Sequence, residues 1–326
     1  MEKIAFISGG TFFYWSSIIL ALAVVTAISC YAAFFLARGG KATGMSIAIP
    51  LSMVLSIFLA RAVHWYSRAD AYESFAAAMQ PFSPGGYALL GAFAGCLLTA
   101  CLLRLLRITD NLPAMLDAMA FGGGAGIAVG RLACLFNASD RGVALPDTVG
   151  FPFAYPVVNT VSGVAENRLA TFMIQSMLSG GIVVVLLLYV MIRAFRKKPV
   201  KEGDVCLLFL LAHGACQIVC DSTRYDSLFL RSNGFISIVQ IFGLVALVVP
   251  LVVFSVRMVK NRGMKVSFAL LWLVCAGLLG CGGYMEYHVQ RHGDQAAFAY
   301  SVMSGCLIVV VLFGLLMRYL GEKKKY

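Results

Sequence analysis

Charged residues are scarce in this chain: only 13% of its 326 residues are Asp, Glu, Lys or Arg, and 60% are hydrophobic. Soluble domains carry about 25% charged residues. So few charges cannot cover a water-soluble surface of this size, which excludes a soluble enzyme and a disordered chain. We therefore predict an integral membrane protein, built as an all-α, polytopic helix bundle.

Patterns that bind metals are also lacking. The ten cysteines include no C-x-x-C pair and no Cys/His cluster at zinc spacing, and the chain has only four histidines. Most of the cysteines lie inside apolar runs, where cysteine behaves as a small hydrophobic residue. The sequence therefore predicts neither a metal site nor structural disulfides.

Long apolar runs are abundant instead. About nine of them approach or exceed the roughly 18–20 residues that a helix needs to cross the hydrocarbon layer. The runs cover residues 12–36, 46–65, 85–103, 115–136, 171–192, 205–219, 235–256, 266–285 and 296–317. The first run is too long for the apolar core of a signal peptide, so we interpret it as an uncleaved span.

The net charge of +11 is unevenly distributed along the chain. Most Lys and Arg residues fall in alternate loops and in the C-terminal tail, and the positive-inside rule places these segments in the cytoplasm. The N-terminus is then outside and the C-terminus cytoplasmic. The basic surplus is a topology signal, so nucleic-acid binding is not predicted. The two long outer loops, residues 64–84 and 138–168, are the loops best suited to a function.

Three arginines stand near the outer ends of predicted spans: Arg61, Arg131 and Arg224. A charged side chain at this depth is costly unless it is paired, which makes it a candidate for function. A guanidinium group binds phosphate through two parallel hydrogen bonds, and lipid headgroups place phosphate at this depth. We therefore predict an anion site at Arg131 and Arg224. The alternative is snorkelling or internal ion pairs, for example between Arg224 and Asp221 or Asp226.

Several other polar residues have more than one interpretation. His64 and His213 lie beside or within spans, where a histidine is either a packing residue or a functional one. The glycines at 122–126 and 130, just before Arg131, allow either a close approach of neighbouring helices or a bend. The residues expected to face water are Asp140, Asp147, Glu166 and Arg168, together with His288 and His292 in a loop.

Residues 130–142, G-R-L-A-C-L-F-N-A-S-D-R-G, resemble the signature of the prolipoprotein diacylglyceryl transferase family, G-R-I-G-[NC]-F-x-N-G-[EC]-x-x-G. Five further features resemble family motifs in the family's order, so that the resemblance covers about residues 12–258. They are Tyr14-Trp15-Ser16 for W-Y-G, residues 60–66 for its A-R segment, Gly85-Gly86-Tyr87 for its glycine-rich third segment, residues 213–224 for Y-G-x-x-R-F-x-x-E-x-x-R, and Gln240 for a glutamine that opens the next span.

The resemblance implies a seven-helix core in residues 1–262, followed by two extra spans and a basic tail in residues 263–326. Members of the family transfer the diacylglyceryl group of phosphatidylglycerol to the lipobox cysteine of prolipoproteins in the bacterial cytoplasmic membrane, without a cofactor or metal. By the same resemblance Arg131 and Arg224 stabilise the departing phosphate. The residues implied in substrate binding are Arg131, Arg224, Asn137, Arg61, Asp221 and Gln240.

The chain departs from the family pattern where the chemistry is concerned. Leu90 stands in place of a family histidine, Ser139 in place of a frequent glutamate, and Gln217 in place of an arginine. Leucine cannot accept a proton, so His64 and Tyr87 become the candidates for the base that takes the thiol proton. Two alternatives stay open: a catalytically silent lipid-binding relative, and a transporter, for which the sequence shows no internal symmetry or paired broken helices.

Overall fold

The computed structural model describes residues 3–80, 86–109, 111–137, 139–158, 163–229, 234–293 and 295–322. Two features of the sequence analysis, Gly85 in the glycine motif and the basic tail Lys323–Lys325, lie outside the described residues. Within the described ranges the fold is helical apart from two small β-hairpins.

The helices follow the apolar runs closely. In chain order they are α1 (Trp15–Ala37), α2 (Ala42–Ser67), α3 (Phe75–Met79), α4 (Leu89–Leu105), α5 (Leu112–Gly130), α6 (Thr171–Phe195), α7 (Asp204–Ser222), α8 (Ile238–Arg262), α9 (Val266–His292) and α10 (Ala296–Gly321). A 3-10 segment, Arg131–Phe136, continues α5. Of these described helices, all except the short α3 and the 17-residue α4 are long and apolar enough to span a membrane. The predicted polytopic helix bundle is confirmed.

Helix α9 is longer than the apolar run that predicted it. It continues past residue 285 to His292 and ends at Gly293, whose φ of 71° lies in the left-handed region that favours glycine. The expectation that His288 and His292 lie in a loop is therefore wrong. The helix is extended by polar residues such as Glu286 and Gln290, which hydrogen-bond to each other one turn apart.

The glycines before Arg131 serve close helix packing. Helix α5 runs without a break from Leu112 through these glycines to Gly130. A Cβ atom on Gly122 would lie only 2.5 Å from the Ala27 carbonyl oxygen, and one on Gly126 would lie 2.8 Å from Ala27 Cβ. Helices α1 and α5 therefore pack at a distance that no larger side chain at Gly122 would allow.

The chain divides into two compact units, each with its own packing. The first comprises Met1–Phe209 and Arg224–Leu228, and the second comprises Leu210–Thr223 and Phe229–Tyr326. In the first unit α1 and α6 pack on α5, while α2 packs on α4. In the second unit α8 and α9 both pack on α10.

Two antiparallel hairpins, absent from the sequence prediction, lie in the first unit. Strands β1 (Ile4–Ser8) and β2 (Thr11–Tyr14) turn through Gly9-Gly10, both with positive φ, as a tight hairpin turn requires. Strands β3 (Ala154–Val158) and β4 (Ala165–Leu169) pair in a regular register. The second hairpin leads directly into α6 and belongs to the loop that the sequence marked as functional.

A buried carboxylate fixes one end of α5 in the first unit. Asp117 is fully buried and accepts a hydrogen bond of 2.7 Å from Arg38 Nη1. It also accepts hydrogen bonds from the backbone N–H groups of Gly203, at 2.9 Å, and Cys206, at 2.8 Å. The bonds to Gly203 and Cys206 satisfy N–H groups at the start of α7, which no intrahelical carbonyl can reach.

Candidate functional site

Two of the predicted site residues, Arg131 and Arg224, meet at one carboxylate, that of Asp140. Arg131 is the first residue of the 3-10 segment, and its Nη1 pairs with Asp140 Oδ2. Arg224 Nη2 lies 2.6 Å from Asp140 Oδ1, and Arg224 Nε donates to Asp226 Oδ1 at 2.9 Å. The structure thus brings the two arginines together. The ion pair between Arg224 and Asp226, which the sequence offered as the alternative to an anion site, is present.

Backbone pairing between two loops produces this convergence. Gly142, after the 3-10 segment, forms a β-bridge with Arg224, after α7. Tyr225 N–H donates to the Arg141 carbonyl oxygen at 3.1 Å, and Asp140 N–H donates to Asp226 Oδ2 at 3.0 Å. These bonds join segments that are more than 80 residues apart in the chain.

Asp140 is buried, with 4% of its surface exposed, so the expectation that it faces water is wrong. Burial by itself opposes ionisation, but the guanidinium groups of Arg131 and Arg224 outweigh it and lower the pKa of Asp140 from 3.8 to about 2. Its backbone φ of 55° is a left-handed conformation that Asp and Asn tolerate better than most residues. Asp140 is therefore an ionised counter-ion shared by two cations.

The stability that Asp140 contributes is expected to change only in strong acid. Because the folded pKa of about 2 is below the ordinary 3.8, the contribution is complete above about pH 4 and is lost as the pH falls towards 2. Melting temperatures of the wild type and Asp140→Asn in detergent would differ by a constant amount from pH 8 to about pH 4, and by less below it. A difference that already shrinks between pH 7 and pH 5 would contradict this assignment.

Arg141 is a structural residue that the sequence analysis did not single out. Its guanidinium carbon lies 4.4 Å from the ring centre of Tyr155 and 4.3 Å from that of Phe172. Its Nη2 donates to the carbonyl oxygens of Cys134, at 2.8 Å, and Asn137, at 2.9 Å. Arg141 therefore ties the 3-10 segment to the second hairpin and to α6, which holds the segment that begins with Arg131.

Asn137, the predicted headgroup-binding residue, ends the 3-10 segment on an exposed stretch. Its Oδ1 accepts a hydrogen bond of 3.0 Å from Ser139 N–H. This hydrogen bond orients the amide group of Asn137. The preceding residue, Phe136, stacks on Trp15 with 6.0 Å between the ring centres.

Three further predicted residues, Arg61, His64 and Tyr87, form a second cluster in the first unit. Arg61 is buried, donates to the carbonyl oxygens of Ala78 at 2.8 Å and Gln80 at 3.1 Å, and lies 5.0 Å over the ring of Tyr87. These bonds attach Arg61 to the C-terminal end of α3.

His64 belongs to the same cluster. Its Nδ1 lies 2.8 Å from the hydroxyl oxygen of Tyr72, which also accepts a hydrogen bond from Gly86 N–H at 3.2 Å. A Cβ atom on Gly86 would be 2.5 Å from His64 Nε2, so only glycine lets the backbone pass this close to the imidazole. Leu90 lies in the first turn of α4, one turn after Tyr87.

Asp221 and Gln240 come together in the second unit through Ser237. Ser237 Oγ donates to the Asp221 carboxylate, and it also accepts from Gln240 N–H at 3.0 Å as the N-cap of α8. Gln240 Oε1 completes the capping box by accepting from Ser237 N–H at 2.9 Å. Gln240 is buried, with 6% of its surface exposed.

The family model for prolipoprotein diacylglyceryl transferase matches residues 3–256. The chain belongs to this family. A comparison with curated proteins finds no match. The matched region of this transferase family member contains every predicted site residue and ends within α8, so α9 and α10 lie beyond it. Membership supports an activity in prolipoprotein diacylglyceryl transfer and a multi-pass membrane location.

Asp140 and Arg141 are the residues of this family member that sequence reasoning missed. One signal for Asp140 was present, because Ser139 replaces a frequent family glutamate and an acidic residue follows it directly. In the part of the chain that the structure describes, no group of three or more His, Cys, Asp or Glu side chains is placed to hold a metal ion.

Proposed function

We propose that this protein transfers the diacylglyceryl group of phosphatidylglycerol to the lipobox cysteine thiol of prolipoproteins and releases glycerol-1-phosphate. The observation that carries the proposal is the convergence of Arg131 and Arg224 on one anionic group, within a chain of this family. Two guanidinium groups that share a carboxylate are spaced to share a phosphate as well. The positive-inside rule favours an outer position for this end of α5, in what we infer to be the bacterial cytoplasmic membrane.

The reaction is a displacement at carbon. The cysteine sulfur forms a bond to the glyceryl carbon, the bond from that carbon to the phosphate oxygen breaks, and its electron pair leaves with the phosphate. The thiol proton passes to a base. Negative charge grows on the departing phosphate, so fixed cations such as Arg131 and Arg224 lower the barrier most at the transition state.

Asp140 is compatible with phosphate binding because a guanidinium group carries five N–H donors. Among the described residues Asp140 is the one hydrogen-bonding partner of Arg131, and it uses Nη1. Nε and Nη2 of Arg131 therefore remain for an oxygen ligand. Asp140 offsets the repulsion between the two cations and holds Arg131 and Arg224 side by side before the lipid binds.

His64 is the residue we assign as the proton acceptor in place of the missing family histidine. A neutral imidazole such as that of His64 has a free ring nitrogen that can accept a proton, whereas a phenol such as Tyr87 must first lose its own proton to act as a base. If His64 Nδ1 donates to the Tyr72 oxygen, 2.8 Å away, Nε2 carries the lone pair. Tyr72 then fixes the tautomer that accepts the thiol proton.

The test uses purified protein in phosphatidylglycerol vesicles with a lipobox peptide, and follows the mass of the peptide and the release of glycerol phosphate. We expect diacylglyceryl addition at the cysteine, and none for a matched peptide with serine in its place. If phosphatidylglycerol binds without product, while a family enzyme is active in parallel, the catalytically silent lipid-binding relative is the correct reading. Lipid binding without catalysis is the second candidate function, because Leu90 replaces the family histidine.

A further inference from the structure

Helices α9 and α10, which lie beyond the family match, place a buried carboxylate in the second unit. Glu286 on α9 is 6% exposed. Its Oε2 accepts a hydrogen bond from Ser222 Oγ, and its Oε1 accepts one of 3.1 Å from Gln290 Nε2. Within the described residues, which omit 230–233 and 294, no Lys, Arg or His forms an ion pair with Glu286. A buried acid in a predicted span is costly, which makes it a candidate for a functional role.

The group that Glu286 holds is the last residue of α7. The carbonyl oxygens in the last turn of a helix lack intrahelical partners. The carbonyl oxygen of Ser222 obtains its partners from the extra helices: Gln290 Nε2 donates to it at 3.2 Å and the Tyr300 hydroxyl at 3.3 Å. Three side chains of α9 and α10 therefore hydrogen-bond to the hydroxyl and the carbonyl oxygen of Ser222.

Two predicted site residues adjoin this anchor. Asp221 directly precedes Ser222 and is held by Ser237, while the side chain of Gln240 lies beside the Glu286 carboxylate. Glu286, Ser222, Asp221 and Gln240 are all buried, so the cluster is largely closed to solvent. A change at Glu286 would therefore act on Asp221 through the neighbouring residue Ser222, and on Gln240 through a direct contact.

We propose that Glu286 is a positioning residue for diacylglyceryl transfer, which holds the end of α7 and the start of α8 so that Asp221 and Gln240 keep their working orientation. The two helices outside the family match are then part of the working enzyme. This inference rests on the proposed function. It assigns to Glu286 no contact with substrate and no proton transfer.

The test compares Glu286→Gln with the wild type in the peptide assay. Glutamine keeps the shape but has one acceptor oxygen in place of two, so it cannot accept the hydrogen bonds of both Ser222 Oγ and Gln290 Nε2, and the anchor is weakened. We expect kcat to fall at least about tenfold, whereas the melting temperature is expected to fall by an amount comparable to that of a control that loses a hydrogen bond elsewhere on α9. The matched control is Trp272→Phe, which removes the 2.9 Å hydrogen bond from α9 to Ser255 on α8. It is expected to lower the melting temperature and leave kcat within about twofold.

A double-mutant cycle separates positioning from general stability. Ser222→Ala is expected to lower kcat to a similar degree, and the double variant to be no slower than Glu286→Gln alone, because both changes remove one interaction. Unchanged kcat in Glu286→Gln, or additive losses, would overturn the proposal. If Glu286→Gln does not fold, Ser222→Ala and Tyr300→Phe decide, and normal kcat in both overturns it. An inactive wild type would instead refute the proposed function, and this inference with it.

Discussion

Replacing Arg131 by alanine is expected to lower the rate of diacylglyceryl transfer by at least about 100-fold, because a charged donor to the departing phosphate is lost. Arg224→Ala is expected to have a loss of similar size, since both guanidinium groups meet at the same point. Each change also leaves the buried Asp140 carboxylate with one cation in place of two. Initial rates in the lipobox-peptide assay, measured on folded protein after gel filtration, check both expectations.

Charge-balanced variants show whether the missing donor or the stranded acid is responsible. Arg131→Ala combined with Asp140→Asn removes a cation and an anion together, and Arg224→Ala with Asp226→Asn does the same. We expect both doubles to recover stability but not activity. Arg318→Ala is the matched control, because it breaks an i,i+4 ion pair between α10 and its C-cap residue Glu322, and such pairs contribute little. Recovery of activity in either double would remove the anion-site assignment.

The membrane spans were predictable because their signal is local. A run of about 20 apolar residues identifies a helix in lipid whatever it packs against. The ends were less predictable, since polar residues that find partners extend a helix, as Glu286 and Gln290 extend α9 to His292. The hairpin β3–β4 carries no comparable signal in the sequence, because its strands are short and only partly buried.

The site was predictable only in part. Arginine at membrane depth is costly, which drew attention to Arg131 and Arg224 without any structure. Their shared partner was not predictable, because Asp140 lies in a polar loop where an acid ordinarily faces water. Its burial depends on the pairing of Gly142 with Arg224, a contact between distant segments that no local pattern reveals.

Gly122→Ala is expected to destabilise the protein, whereas Gly123→Ala is expected to leave it unchanged or more stable. An added Cβ at Gly122 would lie 2.5 Å from the Ala27 carbonyl oxygen and 2.8 Å from Tyr31 Cβ. The backbone of α1 cannot give way as a flexible side chain would, so α1 and α5 must separate. Overpacking of this kind costs about 1–3 kcal/mol. At Gly123 a Cβ would meet nothing within 4 Å.

The two glycines are neighbours in one helix, so they differ in packing but not in helical propensity. Alanine is better than glycine in a helix by about 0.5–1 kcal/mol at either position, which makes Gly123→Ala the matched control. Melting temperatures in detergent should fall for Gly122→Ala and hold or rise for Gly123→Ala. Helix α5 ends where Arg131 begins, so we also expect Gly122→Leu to abolish transfer by displacing that arginine. Equal melting temperatures for the two alanine variants would show that α1 and α5 are not in close contact at Gly122.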